Sequence, residues 1–207
     1  MNIISEKIDI LKKNTPTIFS PNCWGGLTYH FLGLRFESPL INMFEDHDDF
    51  LKLLKKPEHY LGAELRFLGA NDEHPNHYPI GALDDIPIHM NHDRTFAEAK
   101  EKFDRRRERI KWDNLFIMFW DENPERVKKF QALPYEKKIC LVPYETKEEG
   151  VISLPYKKKD FFKEWEFWKI TTYLGAGRII QYDPVELLLT GKYIQIGNLD
   201  INKEEFR

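Results

Sequence analysis

Apolar positions recur along this chain in two rhythms. Residues 17–20, 114–120 and 138–142 are apolar or β-branched nearly throughout, the pattern of strands covered on both faces. Residues 64–68 and 86–90 also read as strands, and 78–83 as an extended apolar run. Between them the period lengthens. Phe96, Ala99, Phe103 and Ile110 repeat at helical spacing across 95–111, and Thr95 with Glu98 forms a capping-box pattern at its start. Shorter helices are expected at 3–13, 25–32, 46–54, 123–132 and 183–189, several introduced by Asp, Asn or Pro. Residues 143–163 are lysine-rich and irregular, and the aromatic run 165–171 is predicted to be a core strand. Two weaker features, the basic run Lys157-Lys158-Lys159 and the Gly175-Ala176-Gly177-Arg178 turn, read as solvated loop and simple turn.

Strand and helix signals alternate over most of the length. That predicts an α/β fold in one domain covering 1–207: three layers, a mostly parallel or mixed sheet with helices on both faces, Rossmann-like.

Composition narrows the function classes. Hydrophobic residues are 42% and charged residues 31%, which fits a globular chain rather than a disordered one. A net charge of -3 argues against a general nucleic-acid binder, which needs a basic surface. Two cysteines make no disulfide framework, and no secretory or transmembrane segment is visible, so a cytoplasmic location is expected.

Three constellations can carry chemistry. The first is Asn22-Cys23-Trp24-Gly25-Gly26, which follows the run 17–20 and opens a helix. Glycines allow close backbone approach, and a helix N-terminus favours an anion and a lowered thiol pKa. The loop is therefore a candidate pocket for a phosphate or sugar-phosphate, with Asn22 and the Gly25/Gly26 amides holding oxygens, Trp24 stacking, and Cys23 as a possible nucleophile. The alternative is a tight turn with an inert cysteine.

The second is Asp84 to Asp93. If 85–91 is extended, Asp85 and His89 share a face, the carboxylate orienting the imidazole as an acid/base pair. His92 follows as a further ligand-binding candidate. His89 and His92 with a carboxylate can also be read as a divalent-metal set, although the spacing is loose and no metal is assigned. A plain polar strand edge is the structural alternative. In the third, Arg106 lies on the apolar stripe of the 95–111 helix with Arg109 three residues on. An inward guanidinium needs an acceptor, either a bound phosphate or an internal acid such as Asp84 or Asp85. Asp121-Glu122, after the strand 114–120, can serve as a catalytic acid or cap the next helix.

These same residues resemble a bacterial family of exopolysaccharide biosynthesis proteins. The resemblance rests on Ser20, Asn22-Cys23-Trp24-Gly25-Gly26 and Tyr29, and continues through Leu32-Gly33-Leu34, Ser38-Pro39 and Tyr78-Pro79-Ile80-Gly81. It extends to Asp85-Ile86, Ile88-His89, His92, Ala99, Arg106, Arg109-Ile110, Trp112-Asp113-Asn114, Phe130 and Leu133-Pro134. It covers about 17–145, with 146–207 more divergent; Pro21 and Phe103 depart from the pattern. The resemblance implies a single α/β domain working in surface-polysaccharide assembly and carries over no catalytic role.

Together these readings predict a group transferase, most directly a glycosyltransferase acting on a nucleotide-sugar or a phosphorylated or lipid-linked sugar. Catalysis is expected from His89, Asp85 and Cys23, with Asn22, Trp24, Gly25, Gly26, Arg106, Arg109 and His92 binding substrate. No cofactor is assigned. Polysaccharide-assembly proteins are the expected partners. A Cys-His acyltransferase or hydrolase, and a non-catalytic carbohydrate-binding or assembly protein, are the alternatives.

Overall fold

The computed structural model describes residues 3–75, 77–154, 167–173 and 182–194. Within them the helices are α1 (Ile3–Lys13), α2 (Trp24–Phe31), α3 (His47–Lys55), α4 (Pro57–Gly62), α5 (Phe96–Arg107), α6 (Pro124–Gln131), α7 (Phe167–Tyr173) and α8 (Pro184–Thr190). The strands are β1 (Thr17–Phe19), β2 (Leu65–Asn71), β3 (Tyr78–Leu83), β4 (Ile86–His89), β5 (Leu115–Trp120), β6 (Lys138–Val142) and β7 (Val151–Ser153).

The strands form two sheets. One has four parallel strands in the order β1-β5-β6-β7; the other is an antiparallel meander, β2-β3-β4. The class is α/β, as expected, and the antiparallel strands are a sheet of their own rather than part of one mixed sheet.

Parallel strands carry side chains alternately to opposite faces. Ile18, Phe116, Met118, Ile139 and Leu141 point into one core with Leu11, Trp24, Phe167, Ile170 and Leu187, so α1, α2, α7 and α8 cover that face. Phe19, Ile117, Phe119, Cys140 and Val142 point into the other, against Phe50 and Leu54 of α3, Phe103 of α5, Phe130 of α6 and the meander residues Leu65, Leu83 and Ile88. This explains why β5 and β6 are apolar at successive positions.

Local signals set several boundaries. Thr95 caps α5 by accepting the Glu98 N–H, Asn123 caps α6 through Glu125, and Asp183 caps α8 through Val185 and Glu186. Pro57 occupies the first turn of the short α4, which follows α3 directly. β2 carries a bulge, since Phe67 pairs with Gly81 and Gly69 with Ile80, leaving Leu68 between them.

Two sequence expectations are corrected. The described part of the 165–171 run, 167–171, is not a strand: it lies in α7, with Phe167 and Ile170 buried in the core on that face of the sheet, and 165–166 lie outside the described residues. Tertiary packing outweighs the strand preference of these residues. The 143–163 segment contains β7, which adds a fourth parallel strand beside β6. Lys157-Lys158-Lys159 and the 175–178 turn lie outside the described residues.

The core beneath the meander meets a tight steric limit at Gly81 in β3. A Cβ there would lie 2.5 Å from Met90 Cε and 2.9 Å from Leu65 Cδ1. Gly81→Ala is expected to destabilise the protein by about 1–3 kcal/mol through overpacking, read as a lower urea-denaturation midpoint with unchanged slope.

Candidate functional site

Because β1 and β5 run parallel and adjacent, the segments that follow them emerge at the same end of the sheet. The chain after β1 supplies Pro21, Asn22 and Cys23; Trp120 ends β5, and Arg126 stands on α6 just beyond it. Facing them are Phe44 to Asp49, Tyr78 of β3, and Asn91 and His92 after β4. The enclosed cleft has a volume of about 930 Å³. It sits outside strand carboxyl ends, the usual ligand position in α/β proteins.

The Cys23 loop is built by its own polar atoms. Asn22 Oδ1 accepts the Trp24 N–H at 3.0 Å, and Ser20 Oγ accepts the Gly25 N–H at 3.1 Å while donating to Asn22 O. Asn22 Nδ2 donates to Thr171 of α7. The Gly25 amide assigned to a phosphate is thus already engaged. Gly25 and Gly26 serve close packing instead: a Cβ on Gly25 would meet Ser20 Oγ at 3.0 Å, and one on Gly26 would meet Ile41 Cγ2 at 3.2 Å. Trp24 is fully buried and stacks on Phe116, so it is part of the core and not a platform for ligand. Asn22 and Cys23 remain at the cleft.

Cys23 stands at the N-terminal boundary of α2, and its Sγ lies 3.2 Å from His92 Nε2. Burial pushes the thiol up to about 11, so the resting pair is a neutral thiol beside an imidazole. Cys140, the second cysteine, is buried in the sheet.

His89 is placed differently from expectation. Its ring stacks on Phe44 at 4.5 Å and its Nδ1 lies 3.3 Å from Tyr78 Oη, so it backs the cleft wall that Phe44 and Tyr78 present. Burial lowers its pKa. Asp85 does not orient it. β3 ends at Leu83 and β4 begins at Ile86, so Asp84 and Asp85 form the hairpin loop, with Asp84 at φ 56°. Asp85 accepts hydrogen bonds from Lys52 and Tyr60 there.

The two arginines are also reassigned. Arg106 is buried, donates to Ile41 O at 3.2 Å and lies over the Phe36 ring. Arg109 donates to Phe36 O at 3.1 Å. Both tie α5 to the 36–41 segment, and their protein acceptors are carbonyls rather than Asp84 or Asp85.

Residues outside the sequence candidates complete the cleft. Glu45 is buried, and neither of its carboxyl oxygens has a hydrogen-bond partner among the described residues. Burial first, and then the charge of Asp49, push it up to about 8. His47 Nδ1 lies 3.0 Å from Asp121, which also takes two contacts from Arg126 and the Asn123 N–H. Burial would raise the Asp121 pKa, but His47, Arg126 and the Asn123 amide outweigh it and hold it at about 2. Asp121 is thereby an ion-pair anchor. Sequence gave one hint of this group: Phe44 to Asp49 combines an aromatic, four acids and a histidine, which reads equally as an acidic helix start. Among the described residues, no group of three or more His, Cys, Asp or Glu side chains is arranged to hold a metal ion. No described helix is long and apolar enough to cross a membrane.

Glu45 gives the site a pH signature. Unfolded it ionises near 4.5, folded at about 8, so the folded state binds more protons across that window. Its contribution to stability is full below the lower value and is lost as pH rises through the upper one. Between about pH 5 and pH 8, Glu45→Gln should lose several degrees less melting temperature than the wild type. Circular-dichroism melts across that range check it; parallel curves would refute the assignment.

The chain can now be set beside known proteins. A family model described as Domain of unknown function (DUF1919) matches residues 1–188. An uncharacterized protein of Haemophilus influenzae is 32% identical over 173 residues, spanning 82% of this chain and 81% of that relative. The model's span includes both sheets and every residue lining the cleft, from Pro21 to Tyr173. With most of its length matched, the chain belongs to the family described as Domain of unknown function (DUF1919).

Proposed function

We propose that this protein is a cytoplasmic enzyme of cell-surface polysaccharide biosynthesis that moves an acyl group to or from a saccharide through a thioester on Cys23. The observation that carries the reading is the 3.2 Å approach of Cys23 Sγ to His92 Nε2 at the cleft. A thiol needs an adjacent base to become a nucleophile when its own pKa is high, and His92 is in hydrogen-bond reach.

The chemistry balances with these two residues. His92 Nε2 takes the Cys23 proton as the sulfur attacks the acyl carbonyl. The donor's alcohol or thiol departs with that proton, leaving the acyl-thioester. A sugar hydroxyl, or water in the hydrolytic direction, then gives its proton to His92 and attacks the thioester carbonyl. The C–S bond breaks and the sulfur recovers the proton. The N-terminal end of α2 favours the negative charge that develops on sulfur.

The saccharide part is supported by the lining. Phe44, Tyr78, Trp120, Trp168 and Tyr173 offer aromatic surface, and Asn22, Asp46, Asp49 and Asn91 offer hydroxyl partners. The resemblance to exopolysaccharide biosynthesis proteins points the same way. Glycosyl transfer from a nucleotide-sugar draws less support. Arg126 is the lone Arg or Lys of the lining among the described residues, and it is tied to Asp121 and Asp48, while Arg106 and Arg109 are engaged elsewhere.

Incubation with p-nitrophenyl acetate as an activated acyl donor tests the reading. The wild type should gain one acetyl mass on Cys23 by peptide mass spectrometry. Cys23→Ala and Cys23→Ser should gain none there, and His92→Gln should acylate about 10²–10⁴-fold more slowly. A Cys23 that acylates no faster with His92 than without it would sink the acyl-transfer proposal.

A further inference from the structure

His92 serves the thiol, and the reaction above leaves a second cleft imidazole, His47, without a task. His47 opens α3, and its Nδ1 lies 3.0 Å from a carboxyl oxygen of the buried Asp121. Asp121 also receives three hydrogen bonds, two from the Arg126 guanidinium and one from the Asn123 N–H. Those three already satisfy it, so the imidazole is not needed to offset its burial. What the contact does is fix the ring. The carboxylate, held at about 2, stays ionised and can only accept. The ring nitrogen that faces it therefore carries a proton. In a neutral imidazole that leaves the lone pair on Nε2.

Nε2 lies on the edge of the ring away from Nδ1. It has no hydrogen-bond partner among the described residues, and it is not one of the unpartnered polar atoms shut off from solvent. His47 lines the cleft, so this edge opens there. Packing holds the ring in place: His47 lies 5.4 Å from the Phe119 ring and stands perpendicular to Trp120 at 4.3 Å. A buried carboxylate that sets an imidazole's tautomer and direction is the arrangement by which a protein prepares the other nitrogen for a substrate.

An exposed lone pair takes an O–H or N–H from its ligand. The neighbouring lining residues Asp46, Asp48 and Asp49 are anionic acceptors, and Arg126 is already paired with Asp121 and Asp48. This side of the cleft thus favours a hydroxyl donor over an anion. We propose that His47 Nε2 anchors the acyl acceptor by accepting a hydrogen bond from a second hydroxyl of the attacking saccharide, with Asp121 as the positioning residue behind it. The anchor rests on the acyl-transfer reading above and names its acceptor as a molecule with at least two hydroxyls. The reacting hydroxyl still gives its proton to His92, and no proton is transferred at His47. A single water cannot make both contacts, so His47 turns thioester cleavage toward transfer and away from hydrolysis.

Long-range proton–nitrogen NMR of the imidazoles tests the anchor on the full chain, as wild type and as Cys23→Ala, above the ordinary imidazole titration range. The probes are glucose, galactose, N-acetylglucosamine and rhamnose. Free His47 should carry its proton on Nδ1 alone, and at least one sugar should shift its Nε2 resonance in both forms. His47→Asn places an amide N–H where Nδ1 stood, so it keeps the bond to Asp121, but it has no atom at Nε2. Saturation-transfer titration should find that sugar bound about fivefold more weakly by this variant. A purely structural His47 predicts unchanged affinity there. His47→Phe, which keeps the ring packing, should weaken the sugar similarly, and melting curves establish that each variant folds. With p-nitrophenyl acetate and the same sugar, the ratio of acetyl-sugar to acetate should fall about fivefold in His47→Asn. A proton on Nε2, no sugar-dependent shift at His47, or unchanged sugar affinity in His47→Asn would overturn the anchor. A retained His47 shift alongside absent acylation of Cys23 would reject the thioester and leave His47 as a saccharide-binding residue.

Discussion

The constraint from which this architecture follows is that a parallel sheet must be covered on both faces. β1, β5, β6 and β7 send alternate side chains into two separate cores. The helices on one side and the α3, α5, α6 and meander layer on the other exist to cover them. Parallel register has a second effect. It places the segments after β1 and β5 at one end of the sheet, where the meander layer closes over them. The cleft is what remains between those segments and the layer that covers the second face.

That geometry sorts the polar residues by role. Those facing away from the cleft are spent on architecture. Arg106 and Arg109 fasten α5 to carbonyls of the 36–41 segment, and Tyr29 donates to Pro16 O and accepts from the Ile18 N–H, pinning α2 to β1. Within the cleft lining, Arg126 and His47 are held by Asp121 on the β5 side. The residues left with open chemistry are Cys23, His92 and, at Nε2, His47, and all three line the cleft. A buried carboxyl without a partner is expensive for stability alone, and Glu45 lies in the lining of the cleft that also holds the thiol–imidazole pair.

Sequence was informative where the signal was local. α5 was legible because Thr95 and Glu98 announce its start and its apolar positions keep helical spacing. β5 and β6 were legible because doubly covered strands are apolar at nearly every position. The Cys23 loop was legible as a strand end running into a helix. What failed depended on distant partners or on one misplaced turn. Counting by twos from Asp85 put it beside His89, but Asp85 belongs to the hairpin loop and the alternation begins only at Ile86. The imidazole that meets Cys23 is His92, past the end of β4, where strand parity no longer applies. The burial of Arg106 was readable from its stripe; its carbonyl acceptor, Ile41 O, was not, because it lies 65 positions away in the chain. Glu45 escaped notice because burial of a carboxylate leaves no mark in a run of acids.

The bulge at Leu68 has its own bearing on how this protein behaves in concentrated solution. β2 is an outer strand of the meander, and Phe67 and Leu68 are largely exposed on it. A straight outer strand with such side chains is a template on which another chain can pair and aggregate. The extra residue interrupts the row of free amides and carbonyls and twists the strand locally. An irregularity that contributes nothing to the cleft thus guards the molecule against stacking edge to edge with its own copies.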